Sequence, residues 1–264
     1  MVLPLLVVGV SHVSEAQQQE RWSWQGGLTV GKTVEVKGVL SSIRAVPSDG
    51  DQIEVIAKKH SRRGETSVVQ MRVLEHAGGV TICALYPTPA HIAPNVCVAG
   101  DEGHGGGRMG NFETDVRVDF LVRMPKHLTF AARTLVGDVE ARQLVGDVTA
   151  STGVGNIAVA TLGTVSARSV NGSIRASMGA SRLRQDLKLS TMGGDITLDL
   201  PASLNADFAL DAGGSIEAKV SMTGFPNSVS HQLRGRLGSG GRIIMVSASG
   251  NIFLRQSPPP GRGP

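Results

Sequence analysis

Cys83 and Cys97 are the residues of this chain whose type and spacing most clearly indicate chemistry. They are its only cysteines, and they enclose thirteen residues that include three prolines. A zinc site would need more ligands, and His76, His91 and His104 show no compact spacing that adds to the cysteines. An even cysteine pair in an exported chain instead predicts a disulfide, worth about 3 kcal/mol for a loop of this length. We therefore predict a Cys83–Cys97 disulfide and no metal site.

Catalytic or cofactor-binding groups are not evident. Residues 105–110 match a dinucleotide-binding glycine pattern, but an alternating strand pattern follows where that motif needs a helix. We interpret 101–110 as a loop and a candidate contact surface. No Gly-x-Ser-x-Gly elbow can be placed on a strand, turn and helix, because no helix pattern is visible. Carboxylates such as Glu140 and Asp199 take alternating polar positions, and the sequence brings no two of them into one cleft. We predict no catalytic residue and no cofactor.

One short phrase recurs from Leu135 to Arg255 and would position any site. A glycine is followed by a small polar residue and then by an apolar, a polar or small, and an apolar residue. The first five glycines are 9, 9, 8 and 9 residues apart. This alternation is typical of a strand with one buried face, and its recurrence indicates stacked repeats. The copies begin at Gly137, Gly146, Gly155, Gly163, Gly172, Gly194, Gly214 and Gly250.

A single pair of these units cannot fold alone. It buries about four side chains, worth roughly 1.5–3 kcal/mol for each large one, whereas ordering eighteen residues costs roughly 27 kcal/mol. Neighbouring coils must therefore stack through backbone ladders. We predict an all-β fold, a parallel β-solenoid or β-helix-like body, with antiparallel hairpins in the N-terminal half where Gly78-Gly79 and similar turns separate alternating runs.

The small polar residue after each glycine has two interpretations. Calcium-binding nonapeptides need consecutive Gly-Gly-x-Gly-x-Asp turns, whereas here aspartate recurs only at Asp138, Asp147 and Asp195, without the glycine pair each time. A ladder of polar side chains that bond to their own turns is the favoured interpretation.

Composition narrows the range of partners. The chain has 264 residues, 34 glycines, 3% aromatic residues and a net charge of +4, which suits many turns and thin strands. Its basic residues are mostly interleaved with acidic ones, so we predict no nucleic-acid partner. Only residues 228–264 hold five arginines and no acid; a solvated tail explains this more simply than binding to an anionic envelope polymer or lipid.

The N-terminus has the features of an export signal. Val2 to Val10 is an apolar run too short to span a bilayer, and small residues precede a cleavage site after Ala16. The missing basic n-region leaves a hydrophobic strand as the alternative. We divide the chain into a signal peptide at 1–16, an N-terminal β segment with the first coils at 17–125, solenoid repeats at 126–256 and a disordered tail at 257–264. No other run approaches the length of a membrane span.

Four residues are candidates for a contact surface. Trp22 and Trp24 share one face of a strand, where covering the open end of the solenoid is favoured over stacking on a sugar. Arg175 and Glu217 take outward positions of the repeat. In addition, 42–45 is identical to 173–176, which places the first coil near Lys37.

The sequence motifs of the repeat resemble those of a known family. They are Val-Asn-Gly-Ser-Ile-Arg-Ala at 170–176, Gly-Asp-Val at 137 and 146, the closing phrase at 249–255 and a lead-in strand at 115–125. Together they resemble the bacterial "putative adhesin" β-strand-repeat family, whose function is unknown. The resemblance implies a secreted or surface-associated, non-catalytic module with a right-handed β-helix-like fold, and it carries over no catalytic residues.

Three hypotheses follow. The first is an exported cell-envelope module, periplasmic or on the bacterial surface, that binds an unknown envelope protein or polysaccharide through its strand faces and could form a homo-oligomer. The second is an envelope-stress regulator or scaffold that binds a membrane partner. The third is a β-helix carbohydrate-active enzyme.

Overall fold

The computed structural model describes residues 18–100, 113–223 and 231–257. The signal-peptide prediction, the glycine pattern at 105–110 and the tail prediction beyond residue 257 lie outside these ranges. The described part is all-β, as predicted, with one 3₁₀ turn at Thr66–Val68. Its strands are β1 (Gln18–Gly27), β2 (Thr33–Lys37), β3 (Ile43–Pro47), β4 (Gln52–Ser61), β5 (Gln70–His76), β6 (Gly79–Leu85), β7 (Arg117–Met124), β8 (Thr129–Val136), β9 (Val139–Leu144), β10 (Val148–Val154), β11 (Ile157–Thr161), β12 (Val165–Asn171), β13 (Ile174–Met178), β14 (Leu187–Thr191), β15 (Ile196–Leu200), β16 (Ala206–Ala212), β17 (Ile216–Lys219), β18 (Gln232–Leu237), β19 (Ile243–Ala248) and β20 (Ile252–Gln256).

The strands form two ten-stranded sheets that enclose one core. Sheet I has the order β1-β4-β7-β3-β9-β11-β13-β15-β20-β17, and sheet II has the order β18-β16-β19-β14-β12-β10-β8-β2-β6-β5. A coil is one strand of sheet II followed by one strand of sheet I, so the two nine-residue units of the sequence make one turn of the solenoid. Both sheets contain strands from either side of residue 125, and the buried apolar side chains form one cluster.

Alternation within each strand produces the core. In β11 and β13 every second residue is buried, and the parallel register places equivalent residues beside each other, as in the pairs of Ile157 with Val139 and with Ile174. The identity of 42–45 with 173–176 has the same cause, because Ile43 pairs with Val139 in that column. The first coil, formed by β2 and β3, therefore begins at Thr33, close to the predicted position.

The coils do not stack in chain order. Strands β19 and β20 lie between the coil of β14 and β15 and the coil of β16 and β17, pairing in parallel with both. Strand β18 then pairs antiparallel with β16 at the outer edge of sheet II. The sequence did not predict this insertion or this C-terminal antiparallel pair.

Antiparallel pairs extend both sheets beyond the first coil, as predicted for the N-terminal half. Strand β4 pairs antiparallel with β1 and β7, and β5 pairs antiparallel with β6. Two segments of this half do not form antiparallel hairpins. Residues 34–36 belong to β2, a strand of the first coil that pairs in parallel, and Val68 lies in the 3₁₀ turn that leads to β5.

Candidate functional site

A polar ladder runs along the corner where the chain enters sheet I. Asn156 donates its backbone N–H to Asp138 Oδ1 at 2.7 Å, and Ser173 donates its own to Asn156 Oδ1 at 2.9 Å. The ladder continues through Asp195 and Asn251 to Ser215. The ladder is as predicted, but its partners are not. Each side chain accepts from the turn of the neighbouring coil and not from its own turn.

Glycine is required at this corner by close approach between coils. Gly155 has φ +152°, and a Cβ on it would overlap the carbonyl oxygen of Gly137 in the preceding coil. Gly172 has φ +150° and the same relation to Gly155. The ladder therefore joins turns that no side chain separates, which gives the outer surfaces a rigid support.

The same corner carries an apolar stripe that the sequence analysis missed. Leu135, Val154, Val170 and Met192 are exposed, Met192 to 70%. Each lies just before a ladder glycine. The buried positions beside them hold hydroxyls, such as Thr152, whose Oγ1 donates to the carbonyl of Gly137 at 2.9 Å. The signal was an inverted alternation in the sequence, with a hydroxyl inside and an apolar residue outside.

The outer face of sheet I forms a groove where the antiparallel strands meet the first coils. Its volume is about 630 Å³, within the range of small-molecule sites. Ile56 and Leu121, a cross-strand pair of β4 and β7, form an aliphatic floor. Its charged lining residues are Arg21, Arg44, Lys58, Asp119, Arg123, Asp138 and Glu140.

The charges of the groove are unevenly paired. Arg123 Nη1 lies 2.6 Å from Glu54 Oε2, and Arg44 Nε lies 3.8 Å from Glu140 Oε2. Arg21 and Lys58 are directly opposite each other on β1 and β4, and within the described ranges neither has an ion pair or a side-chain hydrogen bond. Like charges in this position repel each other. Lys58 also lies opposite Asp119 of β7, whereas Arg21, on the terminal strand, has only the cation Lys58 as its cross-strand neighbour in the described ranges.

Arg175 and Glu217 lie on the same outer face as this groove. Both are exposed, and one row of cross-strand pairs connects them through Thr197 and Phe253. Three strand spacings separate them, about 14 Å. Glu217 bonds Lys219 at 2.7 Å, and this hydrogen bond holds the pKa of Glu217 below its usual range. The row connects the two predicted residues but does not bring them into contact.

Trp22 and Trp24 take a different side of sheet I. Their indoles are partly buried against the core on β1, the terminal strand of sheet I. The neighbouring residues Arg21 and Ser23 point outward. The tryptophans are thus separated by the sheet from Arg175 and Glu217, and the four candidates do not form one site.

The predicted disulfide is present, with the Cα atoms of Cys83 and Cys97 5.7 Å apart. It anchors residues 86–100, here called the proline-rich loop, over the outer face of sheet II. Tyr86 donates to the carbonyl of Leu40 at 2.9 Å, and burial raises the pKa of Tyr86 to about 12. This disulfide indicates an oxidising compartment.

A charged cluster lies buried beneath the proline-rich loop. Glu35 is 4% exposed; its carboxylate accepts from Arg133 at 3.0 Å, Thr81 at 2.8 Å and the N–H of Gly100 at 2.9 Å. Lys37, 2% exposed, donates to two carbonyls of the loop, at 2.6 and 2.7 Å. Such complete pairing is what buried charges require. We attribute a structural role to this cluster, because it fixes the loop to the sheet.

Two further searches cover only the ranges 18–100, 113–223 and 231–257. No three His, Cys, Asp or Glu side chains there are close enough together to hold a metal ion. No helix in this part of the chain has the length and apolar character needed to cross a membrane.

Comparison with known proteins gives structural neighbours alone. No protein-family model and no curated protein matches the chain. A "putative cell adhesion protein" from Clostridium sporogenes aligns over 90% of this chain and 100% of its own, with 11% identity and a TM-score of 0.43. A "putative adhesin" from Bacteroides fragilis aligns over 90% and 97%, with 10% identity and a TM-score of 0.27. One from Parabacteroides distasonis aligns over 89% and 97%, with 9% identity and a TM-score of 0.25.

These names agree with the family that the sequence resembles. At such identities and TM-scores, the overlap of the backbones carries neither fold nor function to this chain. The residues with which this chain could contact a ligand must therefore be inferred from its own groove, apolar stripe and charged side chains.

Proposed function

We propose that this protein is an exported, non-catalytic binding module of the bacterial cell surface or envelope. Its two sheets would present rigid strand faces to a ligand while the stacked coils keep those faces in shape. The disulfide supports an oxidising location. The names of the structural neighbours agree with a role in adhesion.

The observation that carries this proposal is the outer face of sheet I. It combines a groove, two neighbouring cations at the edge of that groove and a row of outward side chains on hydrogen-bonded strands. Rigid faces of this kind suit recognition, because little conformational entropy of the backbone and loops is lost on binding. The exposed apolar stripe at the neighbouring corner provides a second contact area.

Photo-crosslinking in intact cells of the natural host tests the proposal. A benzophenone side chain would replace Ala158 on the outer face of sheet I, Met192 in the stripe, or, as a control, Asp49 in an exposed turn. We expect surface exposure of the protein and crosslinks to polysaccharide or to foreign surface proteins from 158 or 192, but not from 49. Fractionation and mass spectrometry measure both.

Other outcomes would contradict the proposal. One dominant membrane or regulatory protein at these positions would make the chain an envelope-stress regulator or scaffold. Shortening of a captured polysaccharide by the purified protein would make it a carbohydrate-active enzyme. Retention of the whole protein in the cytoplasm would refute export.

A further inference from the structure

The groove on the outer face of sheet I has the chemistry of a binding site for an acidic glycan. We propose that it binds an anionic oligosaccharide segment, with Arg21 and Lys58 contacting its carboxylate or sulfate groups. This assignment rests on the proposed function, because it names the ligand class and the site through which such a module would act.

The first argument is the pair of like charges at one edge of the groove. Arg21 and Lys58 face each other across β1 and β4, on strands held by ten consecutive register pairs. Neither has an ion pair within the described ranges. Lys58 has Asp119 opposite it on β7, but Arg21 has only Lys58 opposite it, and this opposition of like charges is unfavourable in the empty groove. An anion placed between them removes this repulsion and accepts charge-assisted hydrogen bonds from both.

The second argument is the opposite wall. Glu140 and Asp138 of the second coil line the groove on the side away from β1. Carboxylates accept hydrogen bonds and donate none at neutral pH. A third carboxylate, Asp119, lies next to Lys58. A ligand that spans the groove therefore fits if it carries an anionic group at the Arg21 edge and neutral donors beyond it. Sugar hydroxyls next to an acidic substituent meet both requirements.

The third argument distinguishes a glycan from an acidic peptide. Strands β4, β7 and β3 each have a neighbouring strand on both sides in sheet I, so their backbone groups are paired beneath the groove. A peptide lying across these three strands would find no free backbone edge for its own N–H and C=O groups, on which strand-addition modes depend. Hydroxyl groups need only the side chains that are present.

Binding experiments with defined probes test the proposal. Calorimetry would compare oligogalacturonate, chondroitin sulfate, the neutral methyl ester of oligogalacturonate and hexaglutamate. We expect at least one acidic glycan to bind, the ester and the peptide to bind far more weakly, and affinity to fall with added salt. Arg21→Gln and Lys58→Gln should each weaken binding about tenfold.

Arg175→Gln is the matched control, because Arg175 is an exposed arginine of the same face, two strands beyond the groove. It should bind as the wild type does. The free Arg21→Gln protein should melt at the same temperature as the wild type or higher, since it loses repulsion from Lys58. The free Lys58→Gln protein should melt close to the wild-type temperature, since it loses both this repulsion and its attraction to Asp119. That result separates a lost contact from a damaged fold.

Several results would overturn the assignment. They are no binding of either acidic glycan, equal binding of the neutral ester, tighter binding of hexaglutamate, or unchanged affinity in both groove variants. Failure of this assignment can be distinguished from failure of the proposed function. If cellular crosslinks to a surface ligand persist in the Arg21→Gln/Lys58→Gln double variant, the module stands and the groove is not its site.

Discussion

Replacing Gly155 with alanine tests whether the coils depend on backbone approach at the ladder corner. Gly155 has φ +152°, and its missing Cβ leaves room for the carbonyl oxygen of Gly137. Its N–H donates to Asn171 at 2.9 Å, so it is fixed from the following coil as well. The new methyl group has no direction in which to move without separating two coils.

The expected cost has two parts. A non-glycine residue at this φ costs about 1–3 kcal/mol, and inserting a methyl group into a closely packed contact costs about 1–3 kcal/mol. Gly155→Ala should therefore lower the free energy of unfolding by about 2–6 kcal/mol. This is a large share of the about 5–15 kcal/mol typical of a domain.

Three other glycines separate the two parts. Gly31 has φ +86° with nothing within 4 Å, so Gly31→Ala measures the conformational cost alone. Gly146 lacks a positive φ but abuts the carbonyl of Leu128, so Gly146→Ala measures the overlap. Gly50 has neither constraint and serves as the control.

Urea unfolding, followed by far-ultraviolet circular dichroism and tryptophan fluorescence, measures all four variants. The predicted order of destabilisation is Gly155 first, Gly31 and Gly146 next, and Gly50 last with a change near zero. If Gly155→Ala were no more destabilising than Gly31→Ala, contact between the coils would not be the reason for glycine at this corner.

Three further predictions concern individual contacts. Cys97→Ser should cost about 3 kcal/mol in denaturant unfolding and speed hydrogen exchange in the proline-rich loop but not in the coils. Asp195→Ala should cost about 1–3 kcal/mol in the same assay, because Asp195 Oδ1 accepts from both nitrogens of Asn251. The hydrogen bond from Lys59 holds the pKa of Glu20 below its ordinary value, so this pair stabilises the fold at neutral pH. That contribution should disappear as the pH falls below about 4.5 through the lowered pKa, and Glu20→Gln should remove this part of the acid dependence.

Each of these predictions has its own control. Asp199→Ala removes a carboxylate of β15 that has no hydrogen bond or ion pair within the described ranges, and should change the stability by no more than about 0.5 kcal/mol. Reductant should destabilise the wild type and leave Cys97→Ser unchanged. If Glu20→Gln unfolded in acid with the same pH dependence as the wild type, the pair of Glu20 and Lys59 would not contribute to the acid dependence of the stability.

Much of the fold could be predicted from the sequence because its determinants are local and repeated. A glycine, a small polar residue and an alternating triplet specify a turn and a half-buried strand at each copy. The identity of 42–45 with 173–176 reports a shared position on the coil, Ile43 in the same column as Ile174. Outward placement of Arg175 follows from the same alternation.

The candidate site was less predictable because it depends on which strands become neighbours. Arg21 and Lys58 are 37 positions apart in the sequence, and only the antiparallel register of β1 and β4 opposes them. Glu35 and Lys37 occupy outward positions of β2, which alternation alone assigns to solvent. Their burial results from the proline-rich loop, whose path over sheet II no repeat specifies.

The position of β19 and β20 affects how the chain can reach its final form during synthesis and export. β16 and β17 leave the ribosome or a translocation pore before β19 and β20, yet they are separated from β14 and β15 by them. Both phrases, at 214 and at 250, match the exposed edge of β15 equally well in type. Residues 206–219 must therefore either remain unpaired until β19 and β20 have emerged, or first pair with β14 and β15 and then dissociate from them. Emergence of the chain from its N-terminal end thus opposes the final order of the coils.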